Sequence, residues 1–284
     1  MKHSILTSLA TALLALPLTT QAQTEVDLEP ELGGRLSVAI DKRITRGLHI
    51  SFEEEARLDK NFTGFDRLQH TLAASYKVHP NIKLGLGYSL INPYSSSSAA
   101  FKGMRHRVML DAMWSYHTSL WTFAIKERLQ MTARSGDYNV YQSPATAWAL
   151  KSRVSAKYKG WQQRGITPYA YVELRQTFSG PSVTATYIGD AYRTQYSQSA
   201  SLADTVGDPG WFLDGFNSVY LNRIRTCIGV DYRMTRASTL TFYLLADRIR
   251  DKVIDANKLG TKLFTYTDER GFMGSLGMMY TYSF

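Results

Sequence analysis

The sequence predicts an all-β chain closed into an antiparallel transmembrane β-barrel. Three observations carry that prediction. The last fourteen residues alternate, an apolar leader is followed by no second apolar run, and short and long connections take turns along the chain. Counting back from Phe284, every second residue is apolar, aromatic or small: Tyr282, Tyr280, Met278, Leu276, Gly274 and Phe272. A period of two marks a strand with one apolar face. A strand of that length ending in aromatics suits a barrel wall facing lipid.

The chain has 284 residues and a formal net charge of +9. It opens on a basic start, Met1-Lys2-His3, followed by an apolar run over 5–18 and the triplet Thr20-Gln21-Ala22. This pattern predicts a secretory signal peptide over 1–22, too short and wrongly flanked for an anchor. No later segment approaches the ~20 continuous apolar residues of a spanning helix. An integral membrane protein of this composition is therefore a barrel, because only helices and closed sheets satisfy their backbone polar groups in lipid. Cys227 stands alone, which excludes a disulfide framework and a cysteine-based metal site. The basic balance raises the question of nucleic acid. Export argues against that partner and for a charged lumen or a surface facing lipopolysaccharide and anionic solutes.

After an acidic lead-in over 23–33, the barrel is expected over 34–284. The first strand covers 35–41, with Leu36, Val38 and Ile40 on one face. A turn at 42–46 leads to Leu48, Ile50 and Phe52, and 54–57 forms the polar end of that strand. A long strand from Arg67 and a second over 82–90 flank the tight turn His79-Pro80-Asn81. Strands follow at 105–116, 121–130, 148–159 and 166–177. A large outer loop is expected near 179–215, then strands at 219–233 and 240–248 before the closing strand. Tight turns on one side and long loops on the other mark a barrel with periplasmic turns. The segments number eleven, whereas a barrel with both ends in the periplasm needs an even number. Twelve strands are expected, with ten as the alternative. A soluble β-sandwich would need the aromatic faces buried against each other, and it gives no reason for the terminal Phe284.

The closing strand resembles the C-terminal signal of bacterial outer-membrane proteins, which are handed to the barrel-assembly machinery; Tyr280, Tyr282 and Phe284 would carry it. Further pieces are 53–57 (Glu-Glu-Glu-Ala-Arg), 91–94 (Ile-Asn-Pro-Tyr), 126–130 (Lys-Glu-Arg-Leu-Gln) and 139–142 (Asn-Val-Tyr-Gln). Others are 149–153 (Ala-Leu-Lys-Ser-Arg), 168–175 (Pro-Tyr-Ala-Tyr-Val-Glu-Leu-Arg) and 280–284. As a set they resemble exported Bacteroidota β-barrels of domain-of-unknown-function family 2490. The resemblance implies an outer-membrane barrel of unknown activity and supplies no catalytic residues.

The register opposite the apolar face is rich in charge. It holds Glu53, Glu55, Arg105, Arg107, Asp111, Arg128, Lys151, Arg153, Glu173, Arg175, Arg223, Arg225 and Asp231. An Arg at mid-bilayer on the lipid face costs about 2–4 kcal/mol, which drives these groups into the lumen. There they either pair and plug the barrel, or line a water-filled path whose excess of Arg favours anions. The functional expectation is thus a small, porin-like anion-preferring pore or a structural envelope protein, without catalytic residues, metal or cofactor. One alternative is a lipid-modifying enzyme using His70 or His106, which fall in the outward register. No serine is spaced beside either, and Gly-x-Ser-x-Gly is absent. Another is a binding subunit of an envelope complex, docking through the Tyr-rich residues of the large loop. Asp204-Thr205-Val206 matches a three-residue O-glycosylation pattern of that phylum's exported proteins, at Thr205, though so short a pattern often occurs by chance.

Overall fold

A computed structural model describes residues 24–95, 98–136, 138–187, 209–259 and 263–284. The predicted signal peptide and Thr205 lie outside the described residues. The strands are β1 (Thr24–Asp27), β2 (Glu31–Thr45), β3 (Leu48–Asp59), β4 (Gly64–His79), β5 (Ile82–Ser95), β6 (Ala100–Phe101) and β7 (Arg105–His117). They continue as β8 (Trp121–Arg134), β9 (Thr146–Tyr158), β10 (Ile166–Tyr187), β11 (Pro209–Arg233), β12 (Ser238–Ala256) and β13 (Leu263–Ser283). No α-helix occurs among the described residues.

Strands β2 to β5 and β7 to β13 pair in chain order, and β13 then pairs with β2 to close the ring. The wall therefore has eleven strands, neither twelve nor ten. The even count presumed that every pairing is antiparallel. Here the closing pair is parallel, Met273 facing Glu31 and Ser283 facing Asp41, so first and last strands run the same way. An odd number closes without strain on direction. The acidic lead-in is not loose either. Its residues 24–27 form β1, parallel to residues 267–270 of β13. The N-terminal strand thus starts at the end of the barrel opposite Phe284.

Short connections, such as 46–47, 80–81 and 234–237, lie at the Phe284 end. Gly47, at a φ of 97°, supplies the left-handed residue that so tight a hairpin needs. The long connections lie at the other end, where the strands outrun their alternating cores. Strands β10 and β11 stay paired from Ile166↔Tyr232 up to Tyr187↔Pro209. Residues 179–187 and 209–215 of the expected loop are thus strand, and 188–208 lie outside the described residues. Register shifts at 175/176, 177/180, 180/182 and 182/183 broke the alternation on which the shorter strand rested. The connection 135–145 folds down on this side. Asn139 donates its Nδ2 to the Ala256 carbonyl at 2.7 Å, Gln142 donates to the same carbonyl at 3.1 Å, and Tyr141 packs with Val183, Ile254, Ala256 and Tyr266.

The two faces of the wall are inverted relative to a soluble protein. Leu36, Leu86, Leu110, Val154, Ile228 and Leu244 point outward and are exposed, while Arg35, Glu55, Glu173, Arg225 and Asp247 point inward and are buried. Near the turn end Trp114 stacks with Tyr116 and Trp121 with Phe123. Tyr282 and Phe284 continue that aromatic band, and Lys42 lies over the Phe284 ring at 4.8 Å. Inside, two tyrosines lie flat over glycines on the next strand, Tyr169 over Gly229 and Tyr243 over Gly277. A Cβ at Gly277 would collide with the Tyr243 ring, so Gly277→Ala should cost about 1–3 kcal/mol by overpacking. The expected result is a lower temperature at which the compact electrophoretic band of the folded barrel is lost.

Candidate functional site: the charged lumen

Alternation places one charged residue of each inward pair against its neighbour across the wall. One row runs Lys126, Arg153, Glu173, Arg225, Asp247 across five adjacent strands, each directly opposite the next. Signs alternate along most of it, and the row is held by ion pairs. Arg225 clasps Asp247 with two hydrogen bonds of 2.7 Å. Arg223 and Arg35 reach the same carboxylate at 3.7 and 3.9 Å. Arg153 donates to Glu173 at 2.5 and 2.9 Å while stacking over Tyr171, and Lys151 lies 4.0 Å from that carboxylate. Asp247 is 1 % exposed, Glu173 4 %, and Arg35 and Arg225 7 % each. Charges so deeply buried persist only when paired and hydrogen-bonded.

Two smaller clusters complete the interior. Asp111 accepts two hydrogen bonds from Arg128, 2.6 and 2.8 Å, and pairs with Lys126 at 2.8 Å. Glu55 pairs with Arg57, and Glu53 lies two residues further along the same inward face. Arg107 donates to the Thr132 hydroxyl at 3.1 Å, and Arg175 to the Asn222 side-chain oxygen at 2.7 Å. Asp231 sits nearer the turn end, between Lys157 at 3.0 Å and the Thr241 hydroxyl at 2.9 Å, away from the central network. Arg105 lies at the loop-end terminus of β7, facing Arg134 and Ile91. The thirteen expected charges are therefore all on inward positions, but Arg105 and Asp231 stand apart. Arg35, Arg57, Lys126 and Asp247 belong to the network and were not anticipated. Asp247 was legible: Thr241, Tyr243, Leu245 and Asp247 share one parity on β12.

On the outer wall the two histidines have partners other than serine. His70 Nδ1 meets Glu54 Oε1 at 3.1 Å, and His106 Nδ1 meets the Tyr88 hydroxyl at 2.6 Å. Strand β5 separates them, as Leu90 faces both His70 and His106. A serine with a carboxylate does occur outside, Ser152 donating to Glu127 at 2.6 Å, but the residues facing that pair are Ala112 and Leu174. Neither histidine is bonded to a serine: the partner of His70 is a carboxylate, and the hydroxyl beside His106 is the phenol of Tyr88. Of the aromatic loop residues, Tyr192 and Tyr196 lie outside the described residues.

The family model described as "Protein of unknown function (DUF2490)" matches residues 35–195, more than half of the chain. The chain belongs to this family. The match begins at Arg35 and takes in β2 to β10, so it includes the Asp111 and Glu173 clusters. No curated protein matches the chain.

Proposed function

We propose that this family member is an outer-membrane β-barrel of the Bacteroidota whose narrow, basic lumen favours small anions over cations. The inverted wall carries the reading: an apolar, aromatic-banded outside around an interior of ion pairs in which arginine and lysine outnumber the carboxylates. Water would strip such an outer face of its stability, whereas hydrocarbon suits it. In the lumen, the sector along β10, β11, β12 and β2 is filled by the Asp247 and Glu173 clusters. The basic side chains of β8 and β9 are less covered. Lys126, Arg128, Lys151 and Arg153 keep 20–34 % of their side-chain surface open. A basic lining of that kind raises local anion concentration and excludes cations. The turn end is basic too: Arg43, Arg46, Lys77 and Lys83 surround one recess there. Its occupants in the envelope would be lipid on the wall and lipopolysaccharide at the loop end, with the C-terminal strand read by the assembly machinery.

The expected result is a folded band that migrates faster before boiling, recovered in the outer-membrane fraction. In planar bilayers under a KCl gradient, the reversal potential should have the sign of chloride selectivity. Cation selectivity would sink the reading. The buried Asp247 hub favours a second one, a barrel stiffened and blocked by its own ion pairs, and a silent bilayer would select it.

A further inference from the structure

We infer that the upper lumen holds a site for a phosphate-class oxyanion, built by Arg107, Lys151, Arg175 and Arg223. Strand register reveals it. Next to the row of alternating sign runs a second inward row, in which Arg128 faces Lys151, Lys151 faces Arg175, and Arg175 faces Arg223. Four cations stand side by side on strands about 4.8 Å apart, where like charges directly opposite are destabilising. Arg128 is neutralised by Asp111. The other three are not so served. The carboxylates nearest Lys151 and Arg223 stand 4.0 and 3.7 Å away and are already clasped by Arg153 and Arg225. Neither Arg175 nor Arg107 has an ion-pair partner among the described residues; each donates to a neutral group.

Two further features point to a ligand. The Nε atoms of Arg175 and Arg223 are buried and make no hydrogen bond, an arrangement that costs stability unless something accepts from them. The β-bulge at Arg175 also turns two consecutive residues, Asn222 and Arg223, toward the interior: Arg175 faces Arg223 while Gln176 faces Leu221. Asn222 then spans Arg175 and Asp251, taking a hydrogen bond from the first and giving one to the second. That relay keeps the Asp251 carboxylate at one remove from the Arg175 guanidinium. Guanidinium forks match the oxygen spacing of phosphate and sulfate, and an ammonium adds a point charge. A doubly charged tetrahedral anion would compensate the row in one step.

The site deepens the anion-preferring reading, yet it is separable from it: a barrel that binds phosphate without conducting keeps the site and loses the pore. The test is equilibrium dialysis of the purified, detergent-folded chain against radiolabelled phosphate, with sulfate as competitor and chloride at matched ionic strength. One phosphate per chain is expected, displaced by sulfate and not by chloride. At 100 times the dissociation constant, phosphate should raise the folded-to-unfolded ratio about 100-fold over chloride. Arg175→Gln should weaken phosphate binding at least tenfold. In chloride alone the same variant should hold its folded band as well as the wild type or better, since a like charge is gone. Lys151→Gln gives the same readout from the neighbouring strand. Arg164→Gln, in a turn at the other end, should bind as wild type. Equal protection by chloride, or full binding retained in both lumen variants, would overturn the proposal.

Discussion

Asp247→Ala should be the most damaging single substitution in the wall, lowering stability by about 3–5 kcal/mol. The carboxylate is 1 % exposed and holds Arg225 by two hydrogen bonds, with Arg223 and Arg35 also within 4.0 Å. Removing it leaves the buried Arg35 and Arg225 and the half-buried Arg223 facing one another with no anion between them. The charge of Arg35 and Arg225 cannot return to water, because both are themselves 7 % exposed. Asp247→Asn keeps one acceptor oxygen and the shape of the side chain, so it should retain the packing and lose the charge. Urea or heat titration of the mobility shift separates the two. A loss with Ala alone would assign the effect to hydrogen bonding, and a loss of similar size in both would assign it to charge.

Leu244→Arg tests the environment of the outer face. Leu244 lies on β12, faces Leu276 and Ile228 in register, and is 49 % exposed on the apolar belt. In a bilayer, an arginine at that depth should cost about 2–4 kcal/mol. On a water-facing wall the same change should fall within about 0.5 kcal/mol of neutral. The measurement is the folding yield and unfolding midpoint of the barrel in lipid vesicles, with Arg236→Ala in the short turn as the reference for a change outside the belt. A Leu244→Arg variant as stable in vesicles as the wild type would remove the membrane from the reading altogether.

Strand existence was legible almost throughout, because outward apolar residues at period two mark a wall that hides polar groups inside. Residues 35–41, 82–90 and 105–116 fall wholly on observed strands, and 148–159 does so up to Tyr158. Strand ends at the loop side were not legible. There the hairpins rise past the apolar belt, and β12 continues through Asp251 and Asp255 with no outward apolar row to mark it. The bulges of β10 and β11 hid a longer hairpin for a related reason, since each inserted residue reverses the parity that alternation depends on.

The residues alone determined an all-β chain and a charged face opposite an apolar one, since each follows from local periodicity and needs no partner. They also determined that Glu173, Arg175, Arg223 and Arg225 share the inward side. Tertiary structure alone decided that eleven strands close through a parallel pair of β2 and β13. It alone decided that Asp247 rather than Asp231 anchors the network, and that Arg128, Lys151, Arg175 and Arg223 stand in one row. Those outcomes depend on register between strands, which is set by pairing over long sequence separations and by a bulge at one residue. A shift of two residues would keep every apolar side chain outside and change every charged neighbour within.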